Sequence, residues 1–269
     1  MKRSLAEWSE QELLMLALPH ENTDWKPYLS EILDAYENFV SVASAFQKVL
    51  LIAPDETHFK QRFAKFKNTE FFKCPTNDTW IRDFGAIDIW ENNKLTSLDF
   101  TFNAWGGKFQ SDLDNGVNLR LFSEHFKTNL QEIALILEGG SVEFNGEGVM
   151  LTTTKCLLNA NRNAHLSKSE LERHLKELFG LQSIIWLENG FIKGDDTDSH
   201  IHDIAAHDEF FEFFCDLAHK EFLLIVVSSA YGLLRGVRMT FRPCNRKYII
   251  EKSCLHGKNA FLCKKTVEK

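Results

Sequence analysis

The sequence predicts an α/β protein assembled from several small modules, and three features carry that reading. Short apolar runs end abruptly at proline: Leu13–Leu18 is closed by Pro19, and Val49–Ala53 is stopped by Pro54. Runs this short, with such stops, read as buried strands. Between them Leu29, Ile32, Leu33, Tyr36 and Val40 recur at three- and four-residue steps, and Pro27 near the start suits the first turn of an amphipathic helix. Strand, helix and strand then alternate as far as residue 208, which is the pattern of an α/β fold.

The later elements follow the same logic. Phe84–Trp90 and Ser97–Phe102 read as strands around the turn residues Asn92–Asn93, Ile133–Leu137 as a strand that delivers Glu138 to a glycine pair, and Val149–Thr153 as a further strand. Ser167–Leu178 is an amphipathic helix announced by Ser167 with Glu170 three residues on, the spacing of a capping box. Ser183–Leu187 is strand-like, and so is Phe222–Ser229 in the tail. The last stretch, RPCNRKYIIEKSCLHGKNAFLCKK, shows no clear amphipathic period.

Composition bounds the function. A chain of 269 residues that is 44% hydrophobic can bury a substantial core as one large domain or two. No run of about 18 apolar residues occurs, so neither secretion nor membrane spanning is expected. Cys74, Cys156, Cys215, Cys244, Cys254 and Cys263 are scattered without paired spacing, which fits a reducing cytoplasm. The net charge of −7 argues against nucleic-acid partners, which need a basic surface. Residues 209–269 nevertheless carry 11 Lys/Arg against 6 Asp/Glu, the reverse of the acidic balance before them. That shift marks a boundary near Asp208.

Four stretches carry candidate chemistry. In Asn189–Asp203 (NGFIKGDDTDSHIHD), Asp195, Asp196, Asp198 and Asp203 crowd His200 and His202 just after a strand. Histidine titrates nearest neutrality and a neighbouring carboxylate can hold its imidazolium ready to give up a proton. The bland alternative is a solvated acidic turn. In TNDTWIRDFGAI, Trp80 supplies an apolar wall and Asp83 a charge-assisted acceptor, against the plainer reading of an Arg82 ion pair with a nearby acid. In DFTFNAWGGKF, Gly106 and Gly107 let the backbone turn sharply beside Trp105, which is a pocket wall or a core indole. In LEGGSVEFNGEG, Glu138 beside its glycines is a ligand-facing acid or a turn acid.

Taken in order, TWIRDFGAI, FNAWGGKF, LEGGSVEFNGEG, CLLNANRN and IIWLENG followed by DDTDSH resemble the agmatine deiminase and bacterial, Porphyromonas-type peptidylarginine deiminase family over residues 8–203. The resemblance implies an α/β-propeller of ββαβ-type modules around an acid-lined centre. It also implies hydrolysis of a guanidinium with release of ammonia, without cofactor or metal. For agmatine the product is N-carbamoylputrescine; for peptidyl-arginine it is citrulline. By the same resemblance Asp83 and Glu138 bind the guanidinium and His200 is the acid and base; without substrate, Asp83 and Glu138 are expected to lie close with no cation of the protein between them. Asp203 serves as a second acid, Trp80, Trp105 and Asp198 bind substrate, and a cysteine thiolate attacks. The expected partner is a small guanidinium compound, with no nucleic acid or membrane, and with the oligomeric state, a homo-oligomer included, left open.

The sequence departs from that family twice. Where an acid is expected it has His202, with Asp203 one place late, which on a strand would flip the side chain to the other face. After Asp208 no GGGNIHC-like nucleophile motif occurs. The tail therefore reads as a translated frameshift, a divergent module, or one in which Cys254 or Cys263 has been recruited. Two other classes remain beside the deiminase: a metal-dependent hydrolase using His200, His202, Asp203 and His207, and a noncatalytic guanidinium-binding remnant.

Overall fold

The computed structural model describes residues 1–189 and 194–202, side chains at 57 and 58 apart, together with the backbone of three strands in the tail. The chain divides into two units, residues 1–224 and 225–269. The boundary inferred near Asp208 and the strand inferred over Phe222–Ser229 both lie outside the described residues.

Strands run in chain order as β1 (Lys2–Ser4), β2 (Leu13–Ala17), β3 (Lys48–Ala53), β4 (Thr69–Lys73), β5 (Ile87–Glu91) and β6 (Lys94–Thr101). They continue as β7 (Leu130–Ile136), β8 (Val142–Phe144), β9 (Val149–Thr153) and β10 (Ser183–Leu187). The first unit arranges them as three small sheets, ordered β2-β3-β4, β1-β5-β6-β7 and β10-β9-β8. In the first sheet all pairing is parallel, Leu14 facing Val49 and Leu50 facing Glu70. Central β3 is apolar at five of its six positions because both its faces are covered. Leu50 and Ile52 point into a core with Phe84, Phe102 and Trp105, whereas Val49, Leu51 and Ala53 meet helix Leu29–Ala43 through Leu33 and Val40. A third core, of Phe100, Leu137, Phe144, Leu175 and Phe179, joins the other two sheets to helix Lys168–Phe179.

Local chemistry sets the boundaries. The Ser167–Glu170 capping box forms as expected, and Gly180 ends that helix at φ 67. Asn92 and Asn93 take φ 50 and 64 in a two-residue hairpin between β5 and β6, a conformation asparagine tolerates. The strand expected from Phe84 begins three residues later. Ile81–Phe84 is instead a helical turn, with Asp83 N–H bonded to the Trp80 carbonyl and Gly85 N–H to that of Ile81. The second unit contains an antiparallel sheet of β11 (Arg238–Cys244), β12 (Lys247–His256) and β13 (Asn259–Thr266), strands that lacked a readable period. Among the described residues, no helix is long and apolar enough to cross a membrane.

Candidate active site

Three loops at strand and turn ends of the first unit bring Asp83, Glu138 and His200 together. Asp83 hangs from the Ile81–Phe84 turn, and Glu138 lies two residues past the end of β7. His200 Nδ1 lies 3.5 Å from Asp83 Oδ1, and its Nε2 lies 4.0 Å from Glu138 Oε2. Asp83, Glu138 and His200 are 8%, 0% and 2% exposed. His200 Nε2 is buried with no hydrogen-bond partner, which leaves that side of the imidazole for a ligand.

The glycine pair after Glu138 makes this approach possible through space rather than through a special backbone angle. A Cβ on Gly140 would stand 2.5 Å from Asp83 Oδ1 and 2.7 Å from His200 Nδ1, and one on Gly139 would stand 2.1 Å from the Arg82 carbonyl oxygen. Gly140 N–H instead donates to Asp83 Oδ1 at 2.9 Å. Trp105 donates its indole N–H to the other oxygen, Oδ2, at 3.0 Å. The backbone that presents Trp105 is left-handed over four successive residues, with φ 49 at Ala104, 54 at Trp105, 92 at Gly106 and 78 at Gly107. Two non-glycine residues there store strain of about 1–3 kcal/mol each, which persists where function holds the conformation.

Sequence reasoning missed Arg162. Its Nε donates to Glu138 Oε1 at 2.9 Å and Oε2 at 3.0 Å, its Nη1 to Asp198 Oδ2 and Asn161 Oδ1, both at 2.8 Å, and its Nη2 to the Thr197 carbonyl at 3.1 Å. The expectation of Asp83 and Glu138 without a cation of the protein is thereby corrected: a buried guanidinium already sits on Glu138. The signal was present in NANRN, where an arginine lies among asparagines within a matched motif.

The remaining candidates separate. Asp198 joins the site, but its carboxylate is engaged by Arg162, Asn161 and Lys108, the last at 2.8 Å. Burial works against its charge, yet these donors outweigh it and hold the carboxyl down at about 2. Asp195 accepts the Thr197 and Ser199 N–H groups at 2.7 and 2.6 Å and is a turn acid. Trp80 packs against Trp25, with ring centroids 6.3 Å apart, in the core beneath β2 and β4. Arg82 fulfils the plainer reading as well, donating to Glu7 at 2.5 and 2.8 Å.

His202 turns away from His200. Residues 201–202 are helical rather than extended, so the shared strand face on which a His-x-His metal site was expected does not exist. His202 Nδ1 meets Glu143 at 2.8 Å; burial opposes its charge, but the carboxylate prevails and raises it above the ordinary histidine value. Asp203 and His207 lie outside the described residues, as does any role of Asp203 as second acid. Glu138, Cys156 and His200 do offer ligand-type atoms within 4.8 Å of one another. Arg162 occupies both Glu138 oxygens, however, and burial, with Glu138 beside it, lifts the Cys156 thiol well above its usual range. The set suits a cation that carries its own hydrogen-bond donors better than a divalent ion.

Comparison with known proteins places the chain among deiminases by sequence and fold. A solved agmatine deiminase from C. jejuni with substrate bound is 67% identical, covers 75% of this chain and 60% of its own, and superimposes with a TM-score of 0.73. A second structure of C. jejuni agmatine deiminase gives 65% identity, 75% and 60% coverage and a TM-score of 0.70. A Legionella pneumophila relative is 37% identical over 205 residues, 75% of this chain and 58% of its own length, so the chain spans about three fifths of these proteins. The fold is the α/β-propeller class of these structures. Residues 3–210 match the Porphyromonas-type peptidyl-arginine deiminase family, to which this chain belongs.

Proposed function

We propose that this chain is a guanidinium hydrolase of the agmatine deiminase type, turning agmatine and water into N-carbamoylputrescine and ammonia. One observation carries the reading: Asp83 and Glu138 flank a buried His200 whose Nε2 has no partner. A planar cation rich in donors can use the remaining lone pairs of the two carboxylates, whose first are taken by Arg162, Gly140 and Trp105, and be oriented by charge-assisted hydrogen bonds. In the chemistry that the family implies, a thiolate forms a C–S bond to that carbon and ammonia leaves with a proton from His200. Water then adds with His200 as base, the C–S bond breaks, and the oxygen stays as the ureido carbonyl.

Cys156 is a poor source of that thiolate, since burial keeps it protonated. Cys254 and Cys263 fall on β12 and β13, whose side chains lie outside the described residues. Turnover depends on a thiolate from elsewhere in the chain, because the remaining groups restore little of the rate that a nucleophile supplies. The test is release of ammonia and ureido product from agmatine by the purified chain and by a Cys254→Ser, Cys263→Ser variant. Robust turnover abolished in the variant assigns the nucleophile to the tail. Binding without turnover makes the chain a guanidinium-binding remnant, and neither binding nor turnover refutes the proposal.

A further inference from the structure

We infer that Arg162 is a positioning residue that sets the spacing between Glu138 and the His200 loop and offsets the charge of the closed acid cluster before substrate enters. The inference rests on the guanidinium-binding reading above. Arg162 comes from the segment after β9, Glu138 from the end of β7, and Thr197 and Asp198 from the turn that leads into His200. One guanidinium therefore ties three stretches that are distant in sequence. Its side chain is wholly buried and commits four of its five N–H groups to Glu138, Asp198, Asn161 and the Thr197 carbonyl.

The residues before His200 need such a clamp. Asp198 and Ser199 both take left-handed φ, 64 and 73, a conformation that costs free energy unless its surroundings impose it. Arg162 grips the Thr197 carbonyl and the Asp198 carboxylate on the N-terminal side of that turn, while Thr153 Oγ1 donates to the Ser199 carbonyl on the other. Releasing the clamp frees His200 to leave its 4.0 Å approach to Glu138.

The charges around Arg162 define what its removal does. Glu138, Asp198 and the Cys156 thiol interact with it directly, with Asp83 and His200 next to Glu138; of the other cations, Lys108 reaches Asp198 Oδ1 and Arg82 acts on Asp83. Without the guanidinium, the buried Asp83 and Glu138 and the partly buried Asp198 lie near one another with less positive charge to offset them, and such groups hold their protons to higher pH. A cationic ligand binds their ionised form, so its binding should fail at a higher pH than in the parent. A residue that merely filled space would not move that midpoint. Lysine keeps the charge but lacks the planar fork that reaches Glu138, Asp198 and the Thr197 carbonyl together.

The experiment is calorimetric titration of the full chain with agmatine from pH 5 to 9, for the parent, Arg162→Met and Arg162→Lys, each checked for folding by circular dichroism. Arg162→Met is expected to bind roughly 100-fold more weakly at neutral pH, with its pH midpoint raised by about one unit or more. Arg162→Lys should restore the midpoint yet remain roughly tenfold weaker. If Arg162→Met fails to fold, the split in Arg162→Lys between midpoint and affinity decides the matter. Folded variants with the parent's affinity and midpoint overturn the inference and leave the guanidinium site standing. A parent that binds no agmatine at any pH overturns that site and this inference with it.

Discussion

The Trp105 indole N–H donates to Asp83 Oδ2 at 3.0 Å from a backbone held at φ 54, so a strained left-handed turn fixes one of the two acids of the site. Trp105→Phe keeps an aromatic ring against Phe102 and Phe109 and deletes the donor together with part of the ring. A hydrogen bond to a buried carboxylate contributes about 1.5–3 kcal/mol. The variant should unfold about 2 kcal/mol more easily and bind agmatine roughly tenfold more weakly. Denaturant unfolding and calorimetry give the two numbers, and an unchanged affinity would mean that Asp83 needs no fixing.

The outline of this site was legible because its acids stand beside features that sequence displays. Glu138 precedes two glycines, which leave room for Asp83 and His200, and Asp83 stands in the turn that Trp80 opens, its N–H bonded to the Trp80 carbonyl. Strands Val149–Thr153 and Ser183–Leu187 and the capped helix after Ser167 emerged with matching bounds or nearly so, since period and capping are local properties. Three things were not local. Arg162 meets Glu138 across 24 residues, and the orientation of an arginine has no periodic signature. The helical turn over Ile81–Phe84 takes in the first residue of the strand read from Phe84, and His202 could not be seen to face Glu143 while residues 201–202 were assumed extended.

Asp114 gives a pH-dependent handle away from the reacting groups. Buried, with Asp78 close by, it is pushed up to about 7 although it accepts the Asn77 and Asp78 N–H groups at 2.7 and 3.3 Å. A carboxyl raised in the folded state favours folding below its unfolded value near 4, and that contribution is lost as pH rises through about 7. Both N–H groups bond the same Oδ1, which asparagine retains. The advantage of Asp114→Asn over the parent should therefore grow by about 2–3 kcal/mol between pH 5 and pH 8, read from urea unfolding at the two pH values. A constant difference between the two would contradict the assignment.

Cys156 lies beside the site yet should be inert. Burial and the neighbouring Glu138 carboxylate both disfavour its thiolate, which is the form that attacks electrophiles. Native protein treated with a haloacetamidine at pH 7.5 should leave Cys156 unlabelled by peptide mapping, whereas unfolding in urea should expose it to reaction. Selective native labelling of Cys156 would make it the nucleophile instead.

The central claim is that Asp83 and Glu138 form a guanidinium site, and calorimetric binding of agmatine against putrescine tests it most directly. Putrescine keeps the amine and the four-carbon chain but lacks the guanidinium. The account predicts that agmatine binds at neutral pH, that putrescine binds at least roughly 100-fold more weakly, and that Glu138→Gln or Asp83→Asn removes that preference. Equal affinity for the two ligands, or a preference that survives in both variants, would contradict it.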